Sequence, residues 1–464
     1  MVFSSITFLF CFLPAALLLC HAVPARWQNG ALLLVSLVFY GWGEPRSLWL
    51  LLLSLLAGWW TGRAIEDRPK SRKRFWLTAS LVVSLGALAL FKYADFLLAT
   101  LSALTGTAFL PLGLKLPIGI SFYTFQMVSY TLDVYRGTVP AQRRLVDLGA
   151  YITMFPQLVA GPIVRYSDIQ PQLERRSVSL ADAALGLRRF LLGLGKKVLL
   201  ANTLGSLVET ARTTRDPSLL FLWLYAAAFC LQIYYDFSGY SDMAIGLGKL
   251  LGFSFMENFN YPFTARSITD FWRRWHISLG TWFRDYVYVP LGGNRCSRPR
   301  WIRNLILVWG LTGLWHGAAW NFVLWGLGFA LVLLAEKLWL SRILEKIGGL
   351  RHVYVLLLIA VSFVLFDSTN LTLAWTRISG LFGAGDLPLV SPTAWYQLRS
   401  YGWLLIVAAL GSTPWPARTC RALEGSRAGL AIQLTEPPFL LGLAVCITAF
   451  LVDGSFNPFL YFRF

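Results

Sequence analysis

Charged residues are scarce in this chain. Aspartate, glutamate, lysine and arginine make up only 14% of its 464 residues, whereas 56% are hydrophobic, and the mean hydropathy is +0.58. A soluble chain of this length needs more charged side chains than that to cover its surface. The composition excludes an ordinary soluble protein and predicts an all-α polytopic membrane protein, in which residues 1–464 form a single integral membrane domain.

Several chemical motifs are also absent. The six cysteines have no CxxC spacing and no nearby set of histidines, so we predict neither a disulfide framework nor a metal site. Neither of the phosphate-binding patterns GxxxxGK[ST] and GxGxxG occurs. No GxSxG motif is present, so the chain lacks the nucleophile elbow of a serine hydrolase.

Acidic residues are outnumbered by basic ones, 23 to 41, which gives a formal charge of +18. The basic residues fall in clusters between apolar runs, as in loops held at the cytoplasmic face of a membrane. We therefore expect a lipid bilayer as partner and no nucleic acid. The basic loop 63–74 is predicted to lie inside and the uncharged loop 102–109 outside.

Apolar runs predict the membrane-spanning segments. They lie near residues 5–23, 30–43, 47–61, 76–99, 116–133, 219–235, 303–320, 321–340, 353–369, 401–412 and 437–452. Residues 145–163 differ, because basic residues flank both ends and Pro156, Gly161 and Pro162 lie within. That pattern favours a re-entrant segment with broken backbone enclosed by protein, and the Leu116-Pro117-Ile118-Gly119 run is interpreted in the same way.

His316 is the most informative of only four histidines. It lies in an otherwise membrane-spanning stretch, where an ionisable residue is a functional-site hypothesis by default. The alternative is a neutral histidine bonded to a neighbouring helix. Around it, Trp315 and Trp320 are predicted to wall a cavity, and Asn321 adds a donor and an acceptor. Gly317 and Ala318 are predicted to leave room for close approach of another chain or a substrate.

A polar island between residues 257 and 303 contains a second histidine. Ser267, three residues before Asp270, resembles a capping box. The helix it would begin places Phe271, Trp272, Trp275, Leu279, Trp282 and Phe283 on one side and Arg273 and Arg284 opposite. We interpret it as an amphipathic helix at the membrane interface, with His276 at its border, well placed for proton transfer.

Two carboxylates, Asp236 and Asp242, lie at or near membrane depth in the polar run 232–242. Pairing with arginines of the amphipathic helix is favoured over direct catalysis, because an intramembrane charge needs a partner.

These motifs resemble the membrane-bound O-acyltransferase family, in the bacterial branch of the alginate O-acetylation and teichoic acid D-alanyl transfer proteins. The matching runs cover about residues 110–325 and are Leu116-Pro117-Ile118-Gly119-Ile120-Ser121-Phe122-Tyr123, Ala160-Gly161-Pro162-Ile163-Val164-Arg165, Asp236-Phe237-Ser238-Gly239-Tyr240-Ser241-Asp242-Met243-Ala244, Glu257-Asn258-Phe259-Asn260, Phe271-Trp272-Arg273-Arg274-Trp275-His276-Ile277-Ser278, Arg284-Asp285-Tyr286, Pro290-Leu291-Gly292-Gly293-Asn294-Arg295 and Gly313-Leu314-Trp315-His316-Gly317-Ala318.

The resemblance implies a ring of about eleven transmembrane helices with re-entrant segments around a narrow funnel. His316 would lie at its waist, and His276 would match the family's partner position. It also implies that an acyl group is taken from a cytoplasmic thioester and delivered to the outer face. No obvious nucleophile accompanies His316, so direct transfer or hand-off to a partner's serine is favoured.

The sequence thus predicts an inner-membrane acetyltransferase serving O-acetylation of an exported polysaccharide, such as alginate or cellulose. His316 would be the general base and His276 would assist. Arg273, Arg274 and Arg284 would attract the phosphates of acetyl-CoA, the donor substrate, with no permanently bound cofactor. A periplasmic SGNH-type acetyltransferase and the polysaccharide synthesis and export complex would act as partners. The alternatives are a transporter or channel in a polysaccharide export complex, a peptidoglycan O-acetyltransferase and a purely structural scaffold.

Overall fold

The computed structural model describes residues 2–454, and in that range the chain is helical apart from turns and loops. One isolated antiparallel bridge, between Phe259 and Trp275, is the exception there. The α-helices are α1 Leu13–Ala22, α2 Gln28–Gly43, α3 Leu48–Asp67, α4 Lys70–Thr105, α5 Ile120–Arg136, α6 Leu145–Thr153, α7 Phe155–Leu158, α8 Tyr166–Glu174, α9 Leu180–Gly195, α10 Asn202–Thr213, α11 Leu219–Leu250, α12 Ile268–Arg274, α13 Ile277–Phe283, α14 Arg298–His316, α15 Trp320–Ala335, α16 Ser341–Lys346, α17 Leu350–Asp367, α18 Leu371–Leu381, α19 Pro392–Gly411, α20 Trp415–Ala422 and α21 Arg427–Asp453.

Shorter helical turns join or extend these helices. The π-helical turns are Phe8–Phe12, Lys196–Ala201, Arg284–Tyr288 and Glu336–Leu340, and the 3-10 turns are Ala25–Trp27, Pro45–Ser47 and Pro262–Thr264.

Seven helical segments within residues 2–454 are long and apolar enough to cross a bilayer. They are Pro45–Asp67, Ser71–Thr105, Leu180–Thr213, Leu219–Leu250, Trp320–Lys346, Leu350–Asp367 and Arg427–Asp453. Protein buries only 6% of the apolar windows of Ser71–Thr105 and of Arg427–Asp453. Apolar surface of that extent is stable only against lipid. The protein is therefore an all-α, multi-pass membrane protein, as the composition predicts.

Leu180–Thr213 was not among the predicted spans. Its apolar run contains Arg188, Arg189, Lys196 and Lys197, which interrupt the hydropathy pattern on which the prediction relied. Arg189 and Lys197 have carboxylate partners in the structure, and a paired charge can remain within a helical bundle.

The predicted re-entrant segment is broken as expected. Helix α6 has nine residues and rises only about 14 Å at 1.5 Å per residue, which is about half the thickness of a hydrocarbon core. Met154 leaves the helical conformation, α7 follows for four residues, and residues 147–164 are buried by protein.

Gly119 begins α5 in the left-handed region, with φ of +76°. A Cβ atom there would lie 2.5 Å from the carbonyl oxygen of Leu158. Only glycine allows this approach, which brings the 116–119 turn against the broken segment.

The described chain packs as two compact units. The first contains residues 2–190, 241–257 and 284–286, and in it α2 packs on α6 and α3 packs on both α4 and α5. The second contains residues 191–240, 258–283 and 287–454, and its closest helix pair is α14 with α15. His276 and His316 both belong to the second unit.

Candidate active site

His316 is the last residue of α14, at the start of a tight turn into α15. Glycines allow this helical hairpin to close. A Cβ atom on Gly313 would lie 2.3 Å from the carbonyl oxygen of Phe322, and one on Gly326 would lie 2.3 Å from that of Trp309. The helix backbones therefore touch, which fixes the position of His316 at the turn.

The space beside Gly317 is already occupied. A Cβ atom at this position would lie 2.2 Å from the ring of Phe322. The prediction that Gly317 leaves room for a substrate or another chain is therefore wrong, because the protein's own aromatic side chain uses that room.

Aromatic rings surround the His316 imidazole, which is only 8% exposed. Its ring centroid lies 5.1 Å from Trp315, 5.2 Å from Trp325 and 5.4 Å from Phe366, in edge-on arrangements. Such contacts hold the ring in place and keep bulk water from it, as a base in a partly dry site requires.

Trp320 and Asn321, the aromatic and the polar residue predicted to line the site after His316, have different surroundings. Trp320 is half exposed. The Trp325 ring lies 5.2 Å from that of His316. The Asn321 Nδ2 atom donates to the carbonyl oxygen of Ser368 at 2.9 Å. Asn321 thus holds the end of α17, next to Phe366, and its amide is committed to the protein.

His276 lies at a break between two short helices. The serine half of the predicted capping box is confirmed, since the Ser267 Oγ atom accepts from the Asp270 N–H at 3.0 Å. The Asp270 carboxylate instead accepts from the Arg266 N–H at 3.1 Å. The single amphipathic helix predicted to follow is wrong, because α12 ends at Arg274 and His276 takes a φ of +47°. A non-glycine residue in the left-handed region is strained, and such strain is concentrated at functional sites.

The aromatic side chains of this region also differ from the prediction. We expected them to dip into the headgroup region, but protein buries Phe271, Trp275, Leu279, Trp282 and Phe283 to between 0 and 5% exposure. They form part of the protein core, in which the His276 turn also lies.

Trp315 connects the two histidines. The His276 ring is 3% exposed, and its centroid lies 4.6 Å from Phe237 and 5.8 Å from Trp315. Trp315 also contacts His316, at a ring-centroid distance of 5.1 Å. The structure thus gathers three of the predicted residues into one buried cluster, with Trp315 touching both imidazoles.

Arg273 and Arg274 lie on α12 and differ in their surroundings. Arg273 is exposed, whereas the Arg274 Nε atom donates to Asp270 at 2.8 Å. Arg273 is therefore the more accessible of the two to an anion from outside the protein.

Arg284 belongs to the first unit, where its Nε atom lies 2.7 Å from Asp285. Arg165 reaches the same carboxylate at 2.9 Å. Burial opposes ionisation of Asp285, but the hydrogen bond from Arg284 and the charges of Arg284 and Arg165 prevail, so its pKa lies below its usual value. Arg284 thus forms an exposed ion pair, and the carboxylate neutralises part of its attraction for phosphates.

The two aspartates have partners other than those we expected. Lys197 Nζ lies 2.6 Å from Asp236, within the second unit. Arg189 lies 2.6 Å from Asp242 and 2.5 Å from Glu257, within the first. The predicted pairing with arginines of the amphipathic helix is wrong, because the partners come from the helix that the hydropathy pattern missed.

No group of three or more histidine, cysteine, aspartate or glutamate side chains could hold a metal ion in the part of the chain that the structure describes.

Comparisons with known proteins show the family to which the chain belongs. The profile of the membrane-bound O-acyltransferase family matches residues 143–373. The chain is 45% identical to the probable alginate O-acetylase AlgI of Azotobacter vinelandii, over 84% of this chain and 79% of that protein. It is 37% identical to a protein of the same description from Pseudomonas putida, over the full length of both. It is also 33% identical to the peptidoglycan O-acetyltransferase of Helicobacter pylori, over 84% and 81% of the two chains.

The long apolar helices define a multi-pass membrane protein, and the buried pair His276 and His316 forms a candidate site for proton transfer. The relatives make the assignment specific: the chain belongs to the membrane-bound O-acyltransferase family and is an O-acyltransferase. The resemblance found in the sequence is confirmed.

Proposed function

We propose that this enzyme takes an acetyl group from acetyl-CoA in the cytoplasm and passes it across the inner membrane for O-acetylation of an exported polysaccharide. The observation that carries this proposal is the buried cluster in which Trp315 touches both His276 and His316. Alginate is the acceptor polymer best supported, because the relatives with 37 to 45% identity are described as probable alginate O-acetylases. The Helicobacter relative supports peptidoglycan as a second candidate.

In this proposal His316 is the general base. It accepts the proton of an attacking hydroxyl while that oxygen bonds to the acetyl carbonyl carbon. The carbon–sulfur bond then breaks, and the departing thiolate takes the proton, which gives free coenzyme A and an acetyl ester. The exposed Arg273 is the arginine best placed to attract the donor's phosphates.

The attacking hydroxyl is proposed to come from a serine of a periplasmic SGNH-type partner. The rings around His316 described above, those of Trp315, Trp325 and Phe366, carry no nucleophilic atom. A polysaccharide chain reaching this depth would lose water from many hydroxyl groups, at several kcal/mol for each one left unpaired. A single serine-bearing segment avoids most of that penalty.

The role of His316 is tested in cells that lack the gene and carry a variant copy. His316→Ala is expected to be inserted normally but to reduce polymer acetylation by about 10²–10⁴-fold in rate, as loss of a general base does. His276→Ala is expected to reduce it less. His21→Ala is the matched control, because His21 is exposed on α1, and it should leave acetylation unchanged. Full acetyl content with His316→Ala at normal protein levels would refute the role.

The hand-off is tested with purified protein in proteoliposomes. Acetyl-CoA and polymer alone should give little acetylated polymer, and adding the partner should restore transfer in a manner that depends on its serine. Supplying alginate and peptidoglycan separately identifies the acceptor, which is the polymer that gains acetyl groups. Strong acetylation of either polymer by this chain without a partner would contradict the hand-off.

A further inference from the structure

The loop of residues 258–260 holds His276 from both sides. The Asn260 N–H donates to the carbonyl oxygen of Arg274 at 2.9 Å, and the Ile277 N–H donates to that of Asn258 at 3.0 Å. The bridge between Phe259 and Trp275 lies between these two bonds. This pairing keeps the chain from continuing as a helix and imposes the left-handed conformation of His276.

The side chain of Asn258 points into the same turn and is 1% exposed. Its Oδ1 atom accepts from the Ser278 N–H at 3.2 Å and from the Ser278 Oγ atom at 2.9 Å. The same Oδ1 atom lies 3.2 Å from Nδ1 of His276. The Ser278 Oγ atom is farther from that nitrogen, at 3.5 Å.

The backbone N–H of Ser278 settles which way the amide faces. The two ends of an asparagine amide look alike by shape, and their assignment depends on hydrogen-bond partners. A backbone N–H can only donate, so the asparagine atom facing it must be the oxygen. That oxygen can only accept, and the group it meets on His276 must therefore carry a proton.

We infer that Asn258 is a positioning residue that fixes neutral His276 as the Nδ1–H tautomer. Because a neutral imidazole carries one proton, Nε2 then bears the lone pair. His276 enters the site as a hydrogen-bond and proton acceptor through Nε2, and in its neutral form it cannot act there as a general acid. The use of this tautomer in acetyl transfer rests on the proposed function, whereas the tautomer itself does not.

Nitrogen NMR of the full-length protein in lipid nanodiscs tests the tautomer directly. The chain has only four histidines, so ¹⁵N-histidine labelling gives few signals, and those missing from His276→Gln belong to His276. At mildly alkaline pH we expect a protonated Nδ1 and an unprotonated Nε2. A protonated Nε2 with a bare Nδ1 would overturn the inference.

Variants of Asn258 separate positioning from simple packing. Asn258→Asp keeps an acceptor, so it should retain the Nδ1–H signature. It should also shift the pH profile of acetylation to higher pH, because a carboxylate favours the imidazolium. Asn258→Leu removes the acceptor, and the Nε2–H tautomer should appear. Asn260→Leu is the control, because Asn260 is exposed and contributes its backbone N–H; it should change neither.

The outcomes are distinguishable from failure of the proposed function. If Asn258→Leu does not fold, the wild-type and Asn258→Asp spectra still test the inferred tautomer of His276. A wild-type tautomer in a folded Asn258→Leu protein would refute the positioning role. The wild type could show the Nδ1–H signature while the His276→Gln variant acetylates normally. In that case the inferred tautomer stands and the catalytic use of His276 is rejected.

Discussion

Lys197 carries an ammonium group into the protein interior, where its side chain is 3% exposed and that of Asp236 is 4% exposed. Gly239 makes the approach possible. A Cβ atom there would lie 2.7 Å from the carbonyl oxygen of Gly193 and 3.1 Å from Cβ of Lys196. The two helices are therefore in backbone contact beside the ion pair.

Replacing Lys197 alone should destabilise the protein strongly. Lys197→Met removes the cation of a buried ion pair, and breaking such a pair by removing one member typically costs about 3–5 kcal/mol. The double variant Lys197→Met with Asp236→Asn should recover most of the loss, because no charge remains buried. Thermal unfolding in detergent measures the difference, and Lys346→Met at the exposed end of α16 is the control, with little change expected. Equal stability of the two Lys197 variants would show that Asp236 does not need the cation.

At the residue scale, local sequence pattern predicted single features better than it predicted contacts. His316 and the Ser267 cap followed from local pattern, since rarity of an intramembrane histidine and the spacing to Asp270 are both visible along the chain. The partner of Asp236 was not predictable in this way. Lys197 is 39 residues away in sequence. The rule used in the prediction assigns clusters of basic residues to loops, not to the interior of a helical bundle.

Glu336 shows how one element positions another. It lies in the π-helical turn after α15 and is 3% exposed. Its carboxylate accepts from the N–H groups of Ile268 and Thr269 at 2.7 and 2.8 Å, and from the Thr269 hydroxyl at 2.6 Å. The first N–H groups of a helix have no acceptor within that helix, so Glu336 supplies the acceptor for the start of α12. Helix α12 leads to His276.

Glu336→Ala should therefore both destabilise the protein and reduce acetylation. Each buried N–H left without an acceptor costs about 1–3 kcal/mol, and release of α12 would shift the His276 turn. Glu336→Gln retains one acceptor oxygen and should fall between the wild type and Glu336→Ala in unfolding temperature and in acetylation. Glu345→Ala, at an exposed position of α16, should match the wild type. Wild-type values for Glu336→Ala would show that the helix start finds other acceptors.

At the element scale, hydropathy predicted long spans and failed where tertiary contacts override the helical period. Residues 267–283 have the pattern of one amphipathic helix, yet pairing with residues 258–260 divides them at His276. Residues 219–250 show the opposite case. The polar run after position 232 suggested an end to the span, but its polar side chains are buried by neighbouring helices and α11 continues to Leu250.

For the whole molecule, the arrangement across the membrane follows from charge as well as from hydropathy. Residues 71–74 read Ser-Arg-Lys-Arg at the start of a long apolar helix, whereas residues 102–109 at its other end carry no charge. Basic loops are retained on the cytoplasmic side, so this helix should run from the inside to the outside. The basic loops 136–144 and 295–303 should also lie inside, where acetyl-CoA is present.

Cysteine accessibility tests this topology in a chain whose native cysteines are replaced by serine. Ser71→Cys, Thr107→Cys and Arg300→Cys introduce thiols at exposed positions. A membrane-impermeant maleimide added to spheroplasts should label only Thr107→Cys, and the other two should react after the membrane is permeabilised. Labelling of all three in permeabilised cells is the control for thiol reactivity. If Ser71→Cys reacts in intact spheroplasts, the first basic loop faces the periplasm. Arg300 is the third residue of α14, the helix that ends at His316. Labelling of Arg300→Cys from outside would therefore reverse the side from which that helix begins, and with it the proposed direction of acetyl transfer.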